Sequence, residues 1–140
     1  MKTTHSIEIF APQKTVWNAT VDVESWPKWT PTVEYIKRLD PGELAPGNEV
    51  IIKQPSLPEL TWQVSEMQPE SFFSWHTTIR GMPAIATHRI ENKQNCVINH
   101  LSFEMTGFLA ILLWPLICQQ IKCSIEIENQ SMKGYCENAS

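Results

Sequence analysis

The four histidines are the side chains of this sequence best suited to move a proton near neutral pH, since an unperturbed imidazole titrates at about 6.5. His5 stands near the start of the chain and is expected to be solvated. His76 shares strand parity with Phe72 and Ser74, opposite Trp75, and His100 falls between the apolar positions of its segment, so both are read as outward. His88 differs, because its parity partners are Ala86 and Ile90 while Thr87, Arg89 and Glu91 take the other, solvent-suited face. An inward imidazole in an apolar pocket can orient a ligand carbonyl or hydroxyl and permits acid/base work. The alternative is a core histidine bonded to a backbone carbonyl. Tyr35 and Asn99 are the next polar candidates for the same pocket.

Other chemistry finds little support. There is no Ser-His-Asp order, nucleophile elbow, HExxH, phosphate loop or dinucleotide fingerprint. Asp22, Glu24 and Glu66 are not spaced to pair two carboxylates on one element, and Asp22 is read as serving the end of a helix and its turn. Cys96, Cys118, Cys123 and Cys136 contain no Cys-x-x-Cys pair, so neither a metal nor a cofactor is expected. With 11 basic against 15 acidic residues, a net charge of −4 and dispersed cations, nucleic acid is not an expected partner. The start Met1-Lys2-Thr3-Thr4-His5 lacks the apolar core of a signal peptide, from which a cytoplasmic location with reduced thiols is expected.

The elements that must position His88 follow from periodicity. Ile7 and Ile9 alternate with Glu8 in a strand over Thr4 to Phe10; Pro12 then opens a helix to Val21 with Val16, Trp17, Thr20 and Val21 on one stripe. A short second helix over Glu24 to Trp29 is cut off by Pro27 and Pro31. Six extended segments follow, at 32–39, 49–54, 60–68, 71–79, 84–92 and 96–105, separated by Pro/Gly/Asn turns that favour antiparallel hairpins. Residues 108–137 form a long helix on the spacing of Leu109, Leu113, Leu116, Ile117, Ile121, Ile125 and Met132, with Pro115 expected to bend it or delay its start. The apolar run 108–118 is too short to span a bilayer. Core packing is its first reading, and a helix start resting Phe108, Leu112 and Trp114 on a membrane surface, without integral insertion, is the alternative.

The order Pro12, Val16-Trp17, Val21-Asp22, Trp26-Pro27, Trp29, Pro31 and Val33 resembles the opening of the START/Bet v 1-like (SRPBCC) superfamily, and within it the polyketide cyclase/dehydrase-type proteins. The likeness continues through Trp62, Trp75, Thr87-His88-Arg89-Ile90, Glu104 with Gly107 and the end of the long helix, and so covers almost the whole chain as one domain, 1–140. It implies an α+β helix-grip fold, a curved antiparallel sheet of about seven strands around a long C-terminal helix with two short helices. Ser56-Leu57-Pro58 is similar to the gate loop of the plant hormone receptors of that superfamily.

Such a fold encloses a cavity between sheet and helix, and strand parity supplies its walls. Trp62, then Phe73 and Trp75, His88, and Leu101 with Phe103 lie on one face of successive strands; Leu113 and Ile117 lie on the facing helix stripe. With Trp29, Tyr35, Asn99 and a mouth at Leu57 these are the expected ligand-binding residues. The expected function is binding of a small hydrophobic molecule: a lipid, polyketide, quinone or other ring-bearing compound. Two alternatives stand beside it, a cyclase/dehydratase-like enzyme using His88 as acid/base, and a lipid- or quinone-handling partner of a membrane complex. Oligomeric state is not legible.

Overall fold

A computed structural model describes residues 1–138. The order is β1 (Lys2–Ile9), α1 (Gln13–Val21), a 3-10 helix (Val23–Lys28), β2 (Tyr35–Arg38), β3 (Glu49–Lys53), β4 (Leu60–Gln68), β5 (Phe72–Ile79), β6 (Met82–Asn92), β7 (Val97–Met105) and α2 (Phe108–Asn138). One antiparallel sheet of seven strands runs β1-β7-β6-β5-β4-β3-β2, so six of the seven follow chain order and β1 closes the β7 edge. Pro12 caps α1 from just outside, with extended backbone, and α1 begins one residue later than its proline suggests. Asp22 ends that helix and accepts a bond from the Ser25 hydroxyl at 2.7 Å.

Two features of the sheet govern the interior. Between Val64 and Glu66 the β4–β5 register slips, a bulge that bends the strand and adds to the sheet's twist. At the other end Ile79 pairs with Met82 across only Arg80 and Gly81, both at positive φ (52° and 85°). Such a two-residue turn matches strand twist, and it lets β6 start at Met82 rather than at the expected Ala84. β2 is shorter than expected, four residues from Tyr35, because 30–34 are occupied by the turn that leaves the 3-10 helix.

The concave face holds the core. Val64, Phe73, Trp75, Ala84, Ile90, Val97 and Leu101 are buried, and Val16 and Trp17 of α1 and Val23 and Trp26 of the 3-10 helix pack at one end. α2 crosses this face, with Ala110, Ile125, Asn129, Met132 and Cys136 buried. It runs without interruption from Phe108 through Pro115, so the proline does not delay its start. The carbonyl that Pro115 leaves unpaired belongs to Ile111, which is 61% exposed and open to water.

Candidate functional site

The sheet, α2 and the loops after the 3-10 helix and after β3 enclose a cavity of about 500 Å³. Its sheet wall is aromatic because parity stacks rings on adjacent strands. Trp62 of β4 lies 5.6 Å from Trp75 of β5 and 6.4 Å from Phe103 of β7, and Trp26 approaches Trp75 edge-on at 5.5 Å. Ala86 sits between Trp75 and Phe103 in register and leaves room between them.

His88 lies on this wall, 5% exposed. Phe73 lies under it, parallel within 5° at 4.8 Å between centroids, and Trp26 is 5.2 Å away. Among the described residues no hydrogen bond reaches the ring, and Nδ1 is buried without a partner. Burial lowers its pKa from 6.5 to about 4, because nothing nearby compensates an imidazolium for lost water. The imidazole is therefore neutral at physiological pH. The backbone-carbonyl partner of the alternative reading is absent among the described residues. Trp62 likewise keeps an unpartnered, buried Nε1–H.

Of the expected binding residues, Leu57, Trp62, Trp75, His88, Leu101, Phe103, Leu113 and Ile117 line the cavity. The other four lie elsewhere. Phe73 shares the inward parity but is fully buried behind His88. Asn99 is inward and fully buried, yet its amide donates to Asn129 Oδ1 at 2.8 Å, which ties β7 to α2 rather than facing a ligand. Tyr35 is 46% exposed, because Ile36 takes the inward position on β2, and its hydroxyl bonds Glu59. Trp29 ends the 3-10 helix and stacks on Tyr135 near the C-terminal end of α2, 5.6 Å between centroids, outside the cavity. His5 is not simply solvated either: its Nδ1 and carbonyl both accept from Asn129, at 2.9 and 3.2 Å.

Sequence reasoning missed Trp26 and the polar face of α2. Gln120, Ser124 and Glu128 all line the cavity at four-residue spacing, beside the apolar stripe of Leu113, Ile117, Ile121 and Ile125. Periodicity in the sequence marks only the apolar stripe. Burial raises Glu128 from 4.5 to about 7, and no cation approaches it among the described residues. Among those residues no group of three or more His, Cys, Asp or Glu is placed to hold a metal ion.

The first half of α2 departs from core packing. Phe108, Leu112 and Leu116 are 77%, 58% and 79% exposed along one outer face, while Trp114 is half-buried. By length and composition α2 is a helix that could cross a membrane, but its second half is pinned to β1 and β7 through Asn129.

A model of the family described as polyketide cyclase / dehydrase and lipid transport matches residues 1–137. The chain belongs to that family. No curated protein matches it in sequence. Among solved structures it is similar to a hypothetical protein of Helicobacter pylori, TM-score 0.84 at 10% identity, over 97% of this chain and 88% of that one. It also resembles Ara h 8.0201, TM-score 0.72 at 12% identity, with 97% of both chains covered. The di-domain ARO/CYC protein BexL of the BE-7585A biosynthetic pathway aligns with TM-score 0.74 at 16% identity over 96% of this chain, which spans 45% of that longer protein. At such identities these neighbours share the fold, the α+β helix-grip, and family membership leaves the chemistry of the cavity to be argued from its own residues.

Proposed function

We propose that this family member binds a small, ring-bearing hydrophobic molecule in the cavity between sheet and α2. The observation that carries the reading is a mostly apolar space of about 500 Å³ walled on the sheet side by Trp26, Trp62, Trp75 and Phe103. Ligand sites have this size and this mixture of apolar wall and isolated polar atoms. Leu57, Leu101, Leu113 and Ile117 complete the walls, and the neutral His88 ring with the polar side chains of α2 supplies the orienting contacts.

The test is a panel of neutral aromatic alcohols, quinones, flavonoids and acyl chains, read by tryptophan fluorescence and thermal unfolding. Binding changes the emission of the wall tryptophans, and saturation at about a hundred times Kd adds about 2.7 kcal/mol of stability. A panel in which no compound changes either signal overturns the reading.

Two further observations favour companion readings. His88 and Glu128 are both titratable and both on the cavity wall, which supports the cyclase/dehydratase-like alternative; there His88→Ala removes about 10²-fold or more of turnover while binding survives. The exposed apolar face of α2 supports collection of cargo from a lipid surface, with the protein resting on the membrane rather than inserted through it.

A further inference from the structure

The cavity has two unlike walls. The sheet contributes aromatic rings; α2 contributes the row Gln120, Ser124 and Glu128, none of which bonds another described residue through its side chain. Among the described residues Glu128 is the sole acid on the lining, in a chain that is already net negative. An oxygen-bearing neutral ligand would be served by amides and hydroxyls alone, which desolvate at far lower cost than a carboxyl. A lone carboxyl opposite aromatic faces is matched instead by a cation, which gains a charge-assisted hydrogen bond on one side and ring quadrupoles on the other.

We propose that the cavity takes a flat hydrophobic ligand carrying a basic nitrogen, whose ammonium pairs with Glu128 at the α2 edge while its rings lie against Trp62, Trp75 and Phe103. This rests on the ligand-binding reading of the cavity and specifies its ligand class. The same geometry disfavours hydrophobic acids, since a ligand carboxylate would face Glu128 inside an apolar space. The remaining ionisable lining groups do not compete: His88 of β6 is neutral, and Arg80 stands at the exposed β5–β6 turn. From the elements packed on α2, His5 of β1 is held by Asn129, Lys14 of α1 is exposed, and β7 presents the neutral Asn99, Leu101 and Phe103. Burial holds the Glu128 carboxyl near 7, so its ionisation, and with it the preference, strengthens as pH rises through neutrality.

The experiment compares three compounds of one skeleton, 1-naphthylmethylamine, 1-naphthalenemethanol and 1-naphthoate, by isothermal calorimetry on the full chain and on Glu128→Gln. At about pH 8 the amine is expected to bind at least tenfold more tightly than the alcohol and the carboxylate most weakly, with the amine's advantage narrowing as pH falls toward about 5. In Glu128→Gln the amine's advantage disappears while the alcohol's affinity stays within about threefold. An amine that binds no better than the alcohol, or whose advantage survives in Glu128→Gln, overturns the basic-nitrogen inference and leaves the ligand-binding reading standing. Failure of all three compounds overturns the basic-nitrogen inference, and the ligand-binding reading falls with it only when the wider panel of alcohols, quinones, flavonoids and acyl chains also gives no signal. Thermal unfolding of Glu128→Gln checks that the variant is folded, and if it is not, Glu128→Ala together with the pH dependence of amine binding to the unmodified chain makes the same decision.

Discussion

His88 and Glu128 respond to burial in opposite senses, and this makes their contributions separable. His88 has a folded pKa of about 4 against an ordinary 6.5, so below 6.5 the unfolded chain binds the proton the folded chain refuses, and stability is lost as pH falls from 6.5 toward 4. The full shift corresponds to about 3 kcal/mol, from 1.36 kcal/mol per unit. Glu128 has a folded pKa raised from 4.5 to about 7, so the folded chain holds a proton the unfolded chain has released, and stability is lost as pH rises from 4.5 toward 7. The two slopes oppose each other over nearly the same window. Thermal unfolding from pH about 4 to about 7 is therefore expected to show a steeper rise of Tm with pH in Glu128→Gln, and a fall of Tm with rising pH in His88→Leu. His88→Leu should also unfold no more easily than the parent near neutral pH, because it replaces an unpartnered buried ring with an apolar side chain. Parallel Tm profiles for the parent and both variants would show that neither group titrates with folding.

At the scale of elements, Asn129 is the fastening between helix and sheet. Its amide nitrogen is within hydrogen-bond distance of the His5 carbonyl, His5 Nδ1 and the Asn99 carbonyl, and its oxygen accepts from Asn99 Nδ2. Asn129→Leu is expected to lower the stability by about 2–4 kcal/mol, read as the urea midpoint, since it strands several buried polar groups at once. The outer face of the same helix predicts the opposite outcome. Leu112 and Leu116 are exposed, so the double change to Glu leaves Tm nearly unaltered and abolishes co-sedimentation with phosphatidylcholine/phosphatidylserine vesicles. Unaltered vesicle binding, or its absence in the parent, would remove the lipid-surface reading. These two faces also mark what the sequence could and could not tell. Parity of two located His88, Trp75 and Phe103 on one wall, and a period of 3.6 located α2, because both periods depend only on local backbone geometry. Depth does not. Phe73 and Trp75 have the same parity, yet one lies behind His88 and the other lines the cavity, and Asn99 reads as a ligand contact until Asn129 is brought against it from thirty positions away. Gln120, Ser124 and Glu128 were overlooked because polar residues at helical spacing ordinarily mark the solvent face. Trp29 and Tyr35 lie where the 3-10 helix and a short β2 put them, and no alternation runs through that turn.

For the molecule as a whole the cavity would be a thermodynamic liability if it were kept dry and empty. Dry voids left by core truncation cost about 24 cal/mol per Å³, so 500 Å³ kept empty would weigh about 12 kcal/mol against the ~5–15 kcal/mol of a whole domain. The space is therefore wet or filled in use, and its polar row along α2 can hold water between ligands. The residue that keeps it open is Ala86, opposite Trp75 on one side and Phe103 on the other, the smallest side chain in that cross-strand row of rings. Enlarging it should exchange binding for stability. Ala86→Leu places added carbons against Trp75 and Phe103 in unoccupied space, so it escapes the overpacking cost of a full core. Burial of three more carbons at about 0.8 kcal/mol each favours the folded state by roughly 2 kcal/mol at most. The expected result is a ligand-free Tm raised by several degrees together with at least a tenfold loss of affinity for 1-naphthalenemethanol, measured on one preparation by thermal unfolding and calorimetry. A lowered Tm would mean that the space beside Ala86 is already occupied by packed side chains, whereas a raised Tm with unchanged affinity would mean that the ligand lies elsewhere than between these rings.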